Sequence, residues 1–231
     1  MDDIVLSRYD LSEDIILSES SYTTLSVNHP PLLYEYIQDI LGQIDGNDEG
    51  NFRLCFDGKE LKFSTSVSMI SNINKIEFNS RIINAFIIKE LTDYISFNNV
   101  DDFLLIEKTI SSLIEGFIVD SGLDLDYDDC IKSQNIAKML SLKINEEHNS
   151  LVEKVLSYLS LVVKLSTIKV FIILFAKEFL TSDDITSIYN FCIDNNVRLL
   201  LIEGNDQYLL GEQEKRIIID EDLCIISQNN V

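Results

Sequence analysis

The sequence predicts an α/β protein: a head domain with a partly parallel sheet, and an α-helical arm inserted between the two halves of that head. Three observations predict it. Two continuous apolar runs, IKVFIILF at 168–175 and VRLLLIE at 197–203, have the character of strands buried on both faces of a sheet. The stretch between them, TSDDITSIYNFCIDNN at 181–196, reads as a helix, so strand, helix and strand form a βαβ unit with parallel neighbours. The middle of the chain shows helical periodicity and no strand signal.

Residues 1–20 read as strand-like, broken by Asp, Ser and Glu, and suggest a hairpin. TTLSV, 23–27, is a short strand, and the HPP at 29–31 opens a helix through LLYEYIQDILGQI, because proline is tolerated where a helix start needs no N–H. NFRLCF and KELKF flank Asp57–Gly58, a strong hairpin signal between two alternating segments. NSRIINAFIIKELTDYI, 79–95, has helical apolar spacing, and after SFNNV a second helix follows with Asp101 or Asp102 as its cap. Two such helices joined by a short polar break form a hairpin. SQNIAKMLSLKI is a short helix and EEHNSLVEKVLSYLSLVVKLS a longer one. Thr181 or Ser182 caps the helix at 181–196, and RIIID and LCIIS are the last short strands. The expected boundaries are therefore 1–65 and 146–231 for the head and 66–145 for the arm.

The 231 residues are 46% hydrophobic and 25% charged, enough for one large core or two smaller ones. The net charge of −21 argues at first against nucleic acid, since phosphate binding needs Lys and Arg. The charge is uneven, however. No acid lies between Cys130 and Asn145, where Lys132, Lys138 and Lys143 stand. That window is either a solvated face or a basic surface within an acidic protein. The four cysteines lack metal spacing and read as free thiols in a reducing cytosol. The N-terminus begins acidic with no apolar signal segment, and the most apolar run, 155–176, is interrupted by Lys164 and Lys169, so no membrane association and a cytoplasmic location are expected.

Catalytic patterns are missing. GxxxxGK[ST] and GxGxxG are absent, and AKEFLTSDD after the first apolar run has no glycine to let amides wrap a phosphate. His29 and His148 belong to no triad or zinc motif. No enzyme is expected. What remains is LDLDYDD at 123–129. Asp120, Asp124, Asp126, Asp128 and Asp129 bring five carboxylates into ten residues without a lysine or arginine. In an extended segment Asp124, Asp126 and Asp128 project to one side. Calcium takes six to eight such oxygens. The start mimics an EF-hand loop, but Asp129 stands where glycine is needed and Asn135 where glutamate is needed. Spacing alone leaves two readings, a calcium site and a solvated acidic loop.

SGLDLDYDD and the helices before it, IKVFIILFAKEFLTSDDITSIYNFCIDNNVRLLLIE, IIIDEDLCIISQNNV, and FDGKELKF followed by SVSMISNI resemble the Csn-type accessory proteins of type II-A CRISPR–Cas systems. The resemblance implies a head like a nucleotide-hydrolase fold without its phosphate loop. It implies a homotetrameric ring whose positive central hole takes ends of linear double-stranded DNA without sequence preference. It implies calcium that stabilises arm and ring, and a role in spacer acquisition beside the adaptation proteins and the RNA-guided nuclease. The family's DL-acid-Y-acid-acid pattern falls on Asp124 to Asp129, with Asp120 close by. On this reading Lys132, Lys138 and Lys143 are the candidate DNA contacts, with Arg81 and Lys89 on the arm as further candidates. The alternative is an acidic scaffold that recruits protein partners, with DNA contact incidental.

Overall fold

The computed structural model describes residues 3–47, 49–128, 131–132, 135–136, 139, 142–205 and 213–229; for Arg81, Ile82 and Asn229 it describes the main chain. The chain divides into two compact units, one of residues 1–76 with 147–231 and the other of residues 77–146.

The larger unit holds two sheets. The first is antiparallel, in the order β2 (Ile15–Leu17), β1 (Ile4–Arg8), β4 (Phe52–Phe56), β5 (Lys59–Leu61). Between β4 and β5, Asp57 and Gly58 both take positive φ, 49° and 69°, the conformation that a two-residue turn matching strand twist demands. The second sheet has six strands in the order β10 (Ile225–Asn229), β9 (Glu214–Ile219), β3 (Tyr22–Val27), β8 (Arg198–Glu203), β7 (Val170–Leu174), β6 (Val67–Ile70). Five are parallel, and β10 runs antiparallel to β9. Every residue of β3, β7 and β8 is buried, which is why these segments lack alternation.

Helix α1 (Pro30–Ile44) lies in the core that both sheets share, where Tyr36 and Ile40 meet Leu6, Leu25, Phe52, Ile172 and Leu200. A short helix, α2 (Phe63–Ser66), leads into β6. Helix α5 (Leu151–Leu165) starts at Ser150, whose Oγ accepts the Glu153 amide. Helix α6 (Ser182–Asp194) starts at Thr181 in a reciprocal capping box with Asp184 and connects the adjacent parallel strands β7 and β8.

The smaller unit contains α3 (Arg81–Asn98) and α4 (Val100–Ser121), joined at Asn99. Two expectations need correction. Residues 67–70 are a strand of the head sheet, paired with β7, so the arm does not begin at residue 66. The VSMI segment is too short to show a period and becomes a strand only because β7 offers its edge. Helix α4 is not capped by Asp101 or Asp102. It begins at Val100, and both aspartates sit in its first turn, where they face the positive end of the helix dipole. The expected short helix over SQNIAKMLSLKI falls largely outside the described residues, of which 135, 136 and 139 are helical.

Candidate metal and nucleic-acid sites

Gly122 ends α4 in the left-handed conformation, φ 64°, and is followed by a segment without regular structure that carries the acids. Asp120 lies exposed on the last turn, and Asp124, Asp126 and Asp128 are exposed beyond it. That turn has no basic residue. The carboxylates therefore gather at the negative end of a helix dipole, which raises their mutual repulsion. Asp126 Oδ1 accepts its neighbour's amide, Tyr127 N, at 2.9 Å. The Tyr127 hydroxyl donates to Glu115 Oε1 at 3.2 Å, and the Ile131 amide donates to Glu107 Oε1 at 3.2 Å. Two glutamates of α4 thus hold the acidic segment back along the helix. Neither was singled out from the sequence, because a contact between Glu115 and Tyr127 leaves no local pattern. Among the described residues, no three or more His, Cys, Asp and Glu side chains are gathered to hold a metal ion. Asp129 lies outside the described residues. The donors are hard carboxylate oxygens, which fit calcium in kind.

Of the basic candidates, Lys132 and Lys143 are exposed and stand in segments without regular structure, so they do not share one helix. Lys89 is exposed on α3, and Arg81 heads the same helix. Lys138 and the side chain of Arg81 lie outside the described residues. One residue that sequence reading missed organises this region. Asn79 donates from Nδ2 to the Ile144 carbonyl (3.2 Å) and accepts the Ile144 amide at Oδ1 (2.8 Å). A side-chain amide here imitates a strand partner. It fastens the main chain beside Lys143 to the start of α3, two residues before Arg81. Asn79 Nδ2 also donates to Glu146 Oε1, at 2.5 Å, so an acid joins the same clamp.

In the head, ligands of open α/β sheets bind beyond the carboxyl ends of the parallel strands. Here β3 leads directly into α1, the arrangement that presents helix amides to a phosphate elsewhere. Pro30 and Pro31 occupy the first two helical positions and have no N–H. The third amide, Leu32 N, donates to His29 Nδ1 at 3.2 Å. His29 is thus a helix cap. Nearby, a Cβ built on Gly204 would sit 3.4 Å from Leu33 Cδ2 and 3.5 Å from Phe175 Cε1, so apolar side chains fill the space beside it. Behind it, Glu203 ends β8 with its carboxyl buried; Oε1 accepts the Lys177 amide at 3.0 Å, and burial pushes the carboxyl up to about 7. Lys177 Nζ pairs with Glu214 Oε1 at 2.5 Å, both side chains buried. This ionic layer is structural in form, and an acid ending an apolar run was its only trace in the sequence.

No described helix is long and apolar enough to cross a membrane. A family model described as CRISPR-associated protein (Cas_Csn2) matches residues 43–223. No curated protein matches the chain in sequence. Among solved structures, Stu0660 of Streptococcus thermophilus superposes with a TM-score of 0.58 at 14% identity, covering 100% of this chain and 76% of that one. At this identity the likeness is one of fold. A Pyrococcus furiosus chain described as an ABC transporter ATP-binding protein superposes with a TM-score of 0.41 at 7% identity, covering 93% of this chain and 96% of that one.

Proposed function

The chain belongs to the CRISPR-associated Csn2 family, and from that premise we propose that it is a non-catalytic, calcium-stabilised homotetrameric ring that binds ends of double-stranded DNA without sequence preference during spacer acquisition. The observation that carries the proposal is that the matched region, residues 43–223, takes in the whole helical unit together with four of the six strands of the main sheet. The blocked start of α1 supports a head that does not hydrolyse nucleotides, because a phosphate meets two prolines and a histidine-capped amide there. The helical unit supports assembly: α4 has no buried residue and exposes Leu105, Leu113, Phe117 and Val119.

Calcium would be held by Asp120, Asp124, Asp126 and Asp128, together with Asp129. A bound divalent cation would neutralise the carboxylates at the end of α4. Tyr127 and Ile131, held by Glu115 and Glu107, orient the acidic segment along that helix. Lys132, Lys143, Lys89, Arg81 and Lys138 would supply phosphate contacts, which are non-specific and salt-dependent by nature. Four copies around one hole concentrate a modest basic surface despite the acidic whole. The adaptation proteins and the RNA-guided nuclease of the same system are the protein partners this role requires.

The test is the mass in solution with and without calcium, in the presence of linear and of closed circular duplex DNA. A calcium-dependent tetramer that shifts linear DNA and ignores closed circles is expected. A monomer indifferent to calcium and to both DNAs overturns the proposal.

A further inference from the structure

Strand β10 forms one edge of the six-stranded sheet, and its outer side has no described neighbour. Natural edge strands are blunted by charge, proline, a bulge, shortness or a cover. The other edges here follow that rule. Strand β6 is short and partly buried, β2 and β5 have three residues each, and β5 carries Lys59 and Glu60. Among the described residues, strand β10 has none of these features. Its sequence, IISQN, contains no charge and no proline, and its register with β9 is continuous from Ile225 to Asn229.

The ladder fixes which groups point outward. The Asp220 amide donates to the Cys224 carbonyl at 3.1 Å, so this pair is hydrogen-bonded. Alternation then makes Ile226 with Ile218 and Gln228 with Arg216 the bonded pairs. The amides and carbonyls of Ile225, Ser227 and Asn229 consequently face away from the sheet. Three outward residues, spaced evenly about Ser227, make a self-complementary set. A second copy laid antiparallel places Ser227 against Ser227 and Ile225 against Asn229, and about six main-chain hydrogen bonds form. The exposed side chain of Ile226, 45% accessible, then lies beside the copy's Gln228 and diagonal to its Ile226. In a chain of net charge −21, an uncharged strand is where two copies approach with least repulsion.

We propose that β10 is an interface between two copies of this chain, paired antiparallel about a two-fold axis through Ser227. The inference rests on the proposed homotetramer and names one of its contacts. An isologous strand pair closes after two copies, so it leaves the rest of the surface free for a second type of contact.

Ser227→Pro tests it. The substitution removes an amide at the axis that the β9 ladder does not use, and an edge position with its N–H outward tolerates proline. Ser227→Ala keeps the amide and loses only the 3.4 Å side-chain bond to Glu13. Sedimentation should give Ser227→Ala the mass of the unsubstituted chain and Ser227→Pro half of it, with equal thermal melting. Ser227→Cys in a Cys224→Ser background should oxidise to a covalent dimer, because a bonded antiparallel pair holds its Cα atoms about 5.5 Å apart, within disulfide range. A tetramer that Ser227→Pro leaves whole and Ser227→Cys does not cross-link overturns the inference and leaves the ring reading standing. A dimer that Ser227→Pro halves keeps the inference and overturns the tetramer. An unsubstituted chain that is monomeric, or that assembles only with a strand from another protein, overturns the inference.

Discussion

The guanidinium carbon of Arg8 lies 4.4 Å from the centroid of the Tyr36 ring, fastening β1 to α1. The same buried guanidinium pairs with Asp10, Glu35 and Asp39, and the Tyr36 hydroxyl donates to Asp10 at 3.3 Å. Arg8→Met keeps the bulk and leaves three carboxylates facing one another. The Arg8 side chain has no exposure, but that of Glu35 is half exposed, so part of the repulsion is screened. A loss of about 3 kcal/mol in urea unfolding is expected, against about 1 kcal/mol for Tyr36→Phe.

Glu203 gives the head a pH dependence whose sign follows from burial. Its carboxyl sits at about 7 in the fold, above an ordinary 4.5, so the fold favours the neutral form. That stability is fully present below pH 4.5 and is lost as pH rises through 7. Glu203→Gln keeps an acceptor for the Lys177 amide and cannot ionise. It should melt like the unsubstituted chain at pH 4.5 and be more stable at pH 8, by about 2–3 kcal/mol. Equal melting temperatures at both pH values would refute this.

Asn79→Ala removes both bonds to Ile144. Amide exchange over residues 142–146 should rise at least tenfold, the stability of the helical unit should fall by about 1–2 kcal/mol, and DNA affinity should drop with it. Asn79→Asp keeps the acceptor for the Ile144 amide but sets a carboxylate against the Ile144 carbonyl and Glu146, so it should not restore the protection.

Lys132→Glu with Lys143→Glu should abolish DNA binding while leaving the assembly mass unchanged. Replacing either lysine by glutamine should lower the slope of log affinity against log salt by about 0.9 for each phosphate that the side chain no longer neutralises. An unchanged slope would remove these lysines from the interface.

Calcium should raise the melting temperature of the unsubstituted chain, by about 2.7 kcal/mol of stability at a hundredfold excess over its dissociation constant, and a chelator should reverse it. Asp124→Asn with Asp126→Asn should abolish that response and, without calcium, should stabilise the end of α4 by relieving repulsion. A calcium response that survives the double substitution moves the ion elsewhere.

What could be read from the sequence was what local chemistry decides. Asp57–Gly58 announced its turn because few other pairs accept two positive φ angles, and Thr181 announced a helix because its hydroxyl and Asp184 cap each other. The runs at 170–174 and 198–203 were readable because burial on both faces leaves no polar residue at alternate positions. The remainder was set by partners far along the chain. Strand β6 exists because β7 lies beside it. The place of β3 between β8 and β9 has no signature in YTTLSV. The Asn79 clamp and the Glu115–Tyr127 bond join residues with no periodic relation. The acids at 120–128 were legible as a charge concentration, but not the glutamates that hold them.

The central position of β3 also sets an order of events during synthesis. The strand leaves the ribosome well before its sheet neighbours β8 and β9, which are translated only after the helical unit. The first sheet and α1 can pair as soon as residue 61 has emerged. Strand β3 must wait, its edges unsatisfied, while the helical unit is made. Long-range parallel pairing of this kind is slow and exposes apolar strands to aggregation. The chain is therefore expected to depend on early shielding of residues 22–27 as it grows, and to complete its head in a single late step.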